Sequence, residues 1–137
     1  MASFKELALQ YLTAKNIRSE DLDDFALRVI FSGNNCNEIR ILIVFDDDGS
    51  DKFFLKCVAI SNANFNGKEA AGLALCNNLN SHYRWVKFYL TEEADISAII
   101  DGIVDTETCG DEVYRLLMLI VGIIDEAYPD IMRARFA

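Results

Sequence analysis

The chain has one histidine, His82, and a serine, Ser81, stands directly before it. These residue types form the base and the nucleophile of hydrolytic triads, which also need an orienting acid that the fold brings alongside. Adjacency in the sequence does not aim the Ser81 hydroxyl at the His82 ring. The sequence therefore predicts a surface or turn histidine, no catalytic residue and a protein that is not an enzyme.

The four cysteines are widely spaced and include no CxxC pair: Cys36, Cys57, Cys76 and Cys109. With a single histidine in the chain, this spacing excludes the usual zinc motifs and gives no disulfide framework. Cys109 lies near the start of a predicted helix, where a thiol pKa can be lowered. Glu107, Asp111 and Glu112 oppose a thiolate there, so we expect no redox role.

The acidic segment Asp46–Asp51 raises the question of calcium binding. A calcium loop of the EF-hand type needs glycine at its sixth position and a bidentate glutamate at its twelfth. Counted from Asp46, glycine is fourth and the twelfth residue is Cys57. The segment is therefore predicted to be a polar hairpin turn, and no metal or cofactor is expected anywhere in the chain.

Composition limits the possible partners. The 137 residues carry a net charge of −9, which argues against nonspecific phosphate binding, so no nucleic-acid partner is expected. The longest apolar run, Leu116–Ile124, is too short to span a bilayer, and Met1–Glu6 leads into an amphipathic stretch rather than a secretory signal. We expect one cytoplasmic domain over residues 1–137, with no membrane partner.

Three helices are predicted from apolar periodicity and capping residues. Ser3 and Glu6 form a capping box for a helix that ends near Lys15, and a charged connector, Arg18–Asp24, follows it. The second helix spans Lys68–Asn80. The third begins near Thr108 and is apolar on almost every side, a pattern that requires cover from more than one direction. Pro129 is expected to end or kink this helix and to leave Asp130–Phe136 as a short tail.

The end of the second helix is rich in asparagine. Asn77, Asn78 and Asn80 could hydrogen-bond a ligand. Asparagine more often terminates a helix, because its side chain competes for backbone groups. Termination is the favoured interpretation.

Five strands are predicted from period-two alternation: Phe25–Phe31, Ile39–Phe45, Phe53–Ile60, Trp85–Leu90 and Asp95–Val104. Gly33–Asn35 and Asp46–Asp51 make two consecutive hairpin turns, which favours antiparallel pairing. The order is α-β-β-β-α-β-β-α. The predicted fold is an α+β two-layer sandwich with a five-stranded, mainly antiparallel sheet.

The strand alternation places four cations on the sheet face away from the helices. Together with two aromatic residues they form a candidate partner-binding face: Arg28, Arg40, Lys56, Trp85, Lys87 and Tyr89. Arginine, tryptophan and tyrosine are typical anchors of protein interfaces. Two other interpretations stay open. The cations could simply keep a half-exposed sheet wet, paired with carboxylates such as Asp101, or they could bind a small anionic ligand.

Three segments carry a resemblance to a known family: Leu79-Asn80, the aromatic-rich strand Trp85–Leu90, and Asp125–Pro129. With the element order and the chain length, they make the chain resemble the YbjN-domain family of bacterial sensory transduction regulators from about Asp24 to Pro129. The topology also looks like the type III secretion chaperone fold. That likeness implies a small acidic homodimer that binds extended segments of client proteins.

Two functions are therefore expected. The first is a non-enzymatic, chaperone-like regulatory protein, a homodimer that binds a protein or peptide through its apolar and basic sheet face. The alternative is a small-ligand sensor, for which a pocket lined by Asn77, Asn80 and the sheet would be diagnostic. Fold resemblance alone is only an analogy for function.

Overall fold

A computed structural model describes residues 2–48 and 50–137; Gly49, within the predicted Asp46–Asp51 turn, and Met1 lie outside the described residues. The order of elements is α1 Phe4–Ala14, β1 Glu20–Asp21, β2 Ala26–Phe31, β3 Ile39–Phe45, β4 Lys52–Cys57, α2 Glu69–His82, β5 Lys87–Leu90, β6 Ile96–Ile103 and α3 Cys109–Phe136. The α+β class is confirmed. None of the helices in these two ranges is long and apolar enough to cross a membrane.

The first helix forms as its sequence predicts. The Ser3 hydroxyl accepts the Glu6 N–H at 3.2 Å, and the Glu6 carboxylate accepts the Ser3 N–H at 3.3 Å. This reciprocal pair satisfies two N–H groups that an α-helix leaves free at its start. Ala8 and Leu12 are completely buried on the side that faces the core.

Across residues 2–48 and 50–137 the sheet has six antiparallel strands in the order β1-β2-β3-β4-β6-β5, so the expected count of five is wrong. The extra strand lies in the segment that was predicted to be a charged connector, where Glu20 pairs with Arg28 and Asp21 pairs with Leu27. Lys5 of α1 donates to the Asp21 carboxylate at 2.7 Å. A two-residue acidic strand has no alternation of its own, and a short charged strand discourages pairing at a sheet edge.

All three helices pack on one face of the sheet. On α1, Phe4 stacks on Phe45, and Leu116 of α3 lies over Gly102. Inward strand residues alternate as predicted, with Leu27, Ile41, Leu55 and Phe88 among those fully or almost fully buried. Phe25 is the exception, since it stands outside β2 and is 43% exposed. The third predicted strand also ends early, at Cys57 rather than Ile60.

The last helix continues through Pro129 to Phe136, so the predicted stop or tail at Pro129 is wrong. Proline lacks the N–H that would bond the carbonyl four residues earlier, here that of Asp125. That carbonyl instead accepts the side-chain amide of Asn35 at 3.1 Å. The hydrogen bond that proline removes from the helix is therefore replaced from the β2–β3 hairpin.

The second helix runs two residues past Asn80, so Asn80 does not end it. Its amide oxygen accepts the Phe88 N–H at 2.8 Å, and its amide nitrogen donates to the Phe88 carbonyl at 3.0 Å. Phe88 lies on β5, an edge strand whose outward backbone groups have no strand neighbour. The Asn80 side chain thus bonds to Phe88 as a neighbouring strand would, and it connects α2 to the sheet edge.

Candidate functional site

The outer face of the sheet, away from the helices, carries a row of residues in register across five strands. Backbone pairing aligns Arg28 with Leu42, Leu42 with Lys56, Lys56 with Ile99, and Ile99 with Lys87. Cations and aliphatic side chains therefore alternate along one line, which we call the basic-apolar row. Its neighbours on the same face are Ile30, Arg40, Val44, Phe54, Ser97 and Tyr89.

Two of the outer-face cations have carboxylate partners. Arg28 donates to Glu20 at 2.5 Å, across the β1–β2 pair, and Arg40 donates to Glu38 at 3.0 Å. The predicted partner Asp101 lies on the same face, opposite Phe54, but makes neither ion pair. Exposed pairs of this kind contribute little stability, so they leave the guanidinium groups available to a competing anion.

The other two cations surround Tyr89. The Lys56 ammonium lies 5.5 Å from the centre of the Tyr89 ring, and across residues 2–48 and 50–137 neither Lys56 nor Lys87 has a carboxylate within 4 Å. Burial raises the pKa of Tyr89. Hydrogen bonding to Lys56 and Ser97 and the charges of Lys56 and Lys87 outweigh it, so the pKa lies below its ordinary value. Positive potential therefore concentrates at this end of the row.

Trp85 lies outside the strand that carries Lys87 and Tyr89. Its φ of +78° interrupts the predicted alternation, and β5 begins only at Lys87. Trp85 lines a cleft between the end of β6 and α3, beside both Asp101 and Leu116. Strand alternation fixes a face only where the backbone is extended, and a tryptophan with positive φ gives no signal in a hydrophobic pattern.

Arg28 and Arg40 also line a hollow of about 390 Å³ on this face. Its other walls are Glu38, Leu42, Val58, Ala59 and Ser61. Two guanidinium groups above an aliphatic floor suit a carboxylate that is attached to an apolar group. The residues that sequence reasoning missed here are Glu20 and Glu38, because strand register decides which carboxylates stand beside the cations.

None of the five described cavities combines Asn77 and Asn80 with the sheet. Asn80 is occupied by Phe88, and Asn77 lines none of the described cavities. A groove of about 530 Å³ between α2 and the end of α3 includes Asn78 and His82.

Ser81 and His82, the residues considered for hydrolytic catalysis, contact near neighbours in the sequence. The Ser81 hydroxyl donates to the Asn78 carbonyl at 2.8 Å, and the His82 ring packs edge-on against Tyr83. Cys109 is buried, and burial, followed by the charges of Glu112 and Asp105, raises its thiol pKa to about 11. All four cysteines are free.

No cluster of metal-binding side chains occurs among the described residues. In the acidic hairpin, Asp48 accepts the Ser50 N–H at 2.9 Å and Asp46 accepts the Ser50 hydroxyl at 3.4 Å. These carboxylates therefore bond to groups of their own turn.

Fold and surface together define a small α+β module whose helices cover one sheet face and leave a basic-apolar face open. A model of the YbjN family, described as a putative bacterial sensory transduction regulator, matches residues 7–132. The chain therefore belongs to the YbjN family, as the resemblance predicts. No curated protein matches the sequence.

Proposed function

We propose that this protein is a non-enzymatic regulator of the bacterial cytoplasm that binds a protein or peptide partner through its outer sheet face. The family description supports a regulatory role. The observation that carries the binding proposal is the basic-apolar row, in which Arg28, Lys56 and Lys87 alternate with Leu42 and Ile99 across five strands. A chaperone-like mode, in which the partner lies extended across the strands, fits the straight course of this row.

The chemistry of the row specifies the partner. Lys56 and Lys87 favour acidic side chains, while Leu42 and Ile99 offer apolar contact between them. Aromatic groups of the partner would stack beside Tyr89 and its neighbouring ammonium. The partner segment is therefore acidic and aromatic. Because the chain carries a net charge of −9, a wholly acidic partner would be repelled everywhere except at this face.

A charge-reversal pair tests this function. Arg40→Glu with Lys87→Glu changes two exposed outer-face cations, and Lys15→Glu with Arg133→Glu changes two exposed cations of the helical layer. Both variants alter the net charge equally. Proteins retained from bacterial extract by the wild type are quantified by mass spectrometry, and the retained partner is then purified and titrated against all three proteins.

The outer-face variant should bind that partner at least about tenfold more weakly, and the helical-layer variant should bind as the wild type does. Equal loss in both variants would mean that net charge, and not this face, controls binding. Full binding by the outer-face variant would exclude the proposal. Unchanged far-UV circular dichroism confirms that each variant is folded.

The hollow at Arg28 and Arg40 favours a second candidate, a sensor of a small carboxylate. Succinate or benzoate would then raise the thermal midpoint of the wild type but not that of Arg40→Glu. A small-ligand sensor also predicts that partner binding, if any, changes with ligand concentration.

A further inference from the structure

Part of β6 is an open sheet edge. β5 pairs with β6 only along Ile96–Ile99, whereas β6 continues to Ile103 and pairs with β4 over its whole outer half. The Val104 N–H donates to the Asp51 carbonyl at 2.8 Å. In an antiparallel pair, successive residues direct their backbone groups alternately toward and away from the neighbouring strand, so this bond shows which residues of β6 face β4. By that alternation Asp101 and Ile103 direct their N–H and C=O groups away from β4. The pairing of β5 with β6 stops at Ile99, and among residues 2–48 and 50–137 no backbone group outside the ladders bonds to these groups.

A strained turn creates this open edge. The Val86 N–H donates to the Arg84 carbonyl at 2.9 Å, and Trp85 between them has a φ of +78°. These features define a γ-turn with positive φ, which is rare and costly for a large side chain. The turn carries the chain away from β6 just before Lys87. Without it, β5 could extend backward and cover Asp101.

Apolar surface flanks the open backbone groups. A cleft of about 590 Å³ runs along this edge, with walls from Trp85, Ile100–Ile103, Glu112, Arg115, Leu116 and Leu119. Trp85 is 69% exposed and Ile103 is 65% exposed. Free backbone donors and acceptors beside exposed apolar side chains are the features by which a sheet edge takes up another strand.

We propose that this edge binds the same edge of a second copy of the chain, antiparallel and centred on Gly102. Asp101 then lies opposite Ile103 of the partner subunit, and four backbone hydrogen bonds form about the two-fold axis. The open segment of five residues, Ile100–Val104, accommodates a segment of the same length. The edge is therefore complementary to itself.

Charge selects this register over the neighbouring ones. A pairing centred on Asp101 would place two carboxylates opposite each other. A pairing centred on Ile103 would place Asp101 opposite Asp105 of the partner subunit. Like charges directly across a strand pair are destabilising. In the register centred on Gly102, the outward backbone groups of the two copies bond to each other and every carboxylate lies opposite an apolar residue. Neither neighbouring register meets both conditions.

The dimer would also cover the side of α3 that the chain leaves half-exposed, because Leu116 and Leu119 line the same cleft. The two sheets would become one, and the outer faces of both copies would lie side by side. The proposed dimer does not depend on the identity of the outer-face partner, because the residues of the dimer seam lie on the sheet edge and not in the basic-apolar row.

The test is the solution mass, measured by size-exclusion chromatography with light scattering over a range of concentrations. Wild type should reach a mass near twice the 15.4 kDa of the chain. Ile103→Glu should weaken dimerisation at least about tenfold, because it places a second carboxylate opposite Asp101 of the partner subunit. Ile30→Glu is the matched control, since Ile30 is 52% exposed on β2 at the far side of the sheet, and it should dimerise as the wild type does.

Two residue-level measurements separate this edge from any other interface. The Asp101 and Ile103 amides should exchange more slowly with solvent as concentration rises, and fluorescence of the single tryptophan should shift to shorter wavelength. Ile103→Glu should abolish both effects. A wild type that stays monomeric, a dimer that Ile103→Glu leaves intact, or amides whose exchange is independent of concentration would each overturn the proposal.

Discussion

Two hydrogen bonds connect Asp125 with Asn35, although the two residues are 90 positions apart in the sequence. The Asn35 N–H donates to the Asp125 carboxylate at 2.8 Å, and the Asn35 side chain donates to the Asp125 carbonyl at 3.1 Å. The same carboxylate accepts the N–H groups of Asn34 at 3.0 Å and Cys36 at 2.9 Å. The β2–β3 hairpin is thus fastened to α3 at the point where Pro129 removes a helical hydrogen bond.

Replacing Asp125 by alanine should lower the free energy of unfolding by about 1–3 kcal/mol, because several backbone N–H groups lose a charged acceptor. Urea denaturation measures the difference. Asp130→Ala is the control on the same helix, since the only bond of the Asp130 carboxylate among the described residues is to Arg133 of its own helix. Equal losses in the two variants would mean that the hairpin contact contributes nothing specific.

The contribution of Asp125 should depend on pH. Burial raises its pKa, but the N–H groups of Cys36, Asn35 and Asn34 outweigh burial and hold the pKa below the ordinary value of 3.8. A group whose folded pKa is lowered stabilises the protein fully above its unfolded pKa and loses that effect as pH falls through its folded pKa.

Wild type should therefore exceed Asp125→Asn in stability at neutral pH, and the difference should shrink as pH falls below 3.8. Denaturation of both proteins at a series of pH values checks this. A difference that stays constant down to acid pH would contradict the assignment, since asparagine keeps one acceptor but cannot titrate.

Asn80 should be important for β5 rather than for a ligand. Asn80→Ala removes both hydrogen bonds to Phe88 and should cost about 1–2 kcal/mol. Amide exchange at Phe88 should accelerate with it. Asn77→Ala, which alters an exposed asparagine of the same helix, should leave both quantities unchanged. If both variants behave alike, Asn80 does not fasten the edge strand.

Patterns among neighbouring residues predicted the features that neighbouring residues determine. The capping box at Ser3 and the inward residues of β3 follow from spacing alone, and both are confirmed. What the sequence could not supply depends on distant partners. Glu20–Asp21 becomes a strand only because Leu27 and Arg28 lie alongside it, and α3 passes Pro129 because Asn35 replaces the lost donor.

The candidate site shows the same division. Alternation placed Arg28, Lys56 and Lys87 on one face, yet it could not show that pairing aligns them in a single row. It also gave no sign of the positive φ of Trp85, which comes from a turn that periodicity does not reveal. Register and turn geometry are properties of the assembled sheet.

The strain at Trp85 can be measured. Trp85→Gly should give a protein about 1 kcal/mol more stable than Trp85→Ala, because glycine adopts positive φ without a steric penalty whereas alanine retains it. Both variants lose the same side-chain contacts, so their difference isolates the backbone term. Urea denaturation at a concentration where both are monomeric is the measurement. Equal stabilities would mean that the γ-turn carries no strain.

Two glycines should respond to alanine with opposite signs. A Cβ at Gly33 would lie 2.2 Å from the Asp125 carboxylate, so Gly33→Ala must push that side chain out of the hairpin and should cost about 1–3 kcal/mol.

A Cβ at Gly122 meets nothing within 4 Å, and this residue is exposed within α3. Gly122→Ala should therefore stabilise the protein by about 0.5–1 kcal/mol through helix propensity. Thermal or urea denaturation decides the signs, and a destabilised Gly122→Ala would indicate that another subunit packs against this position.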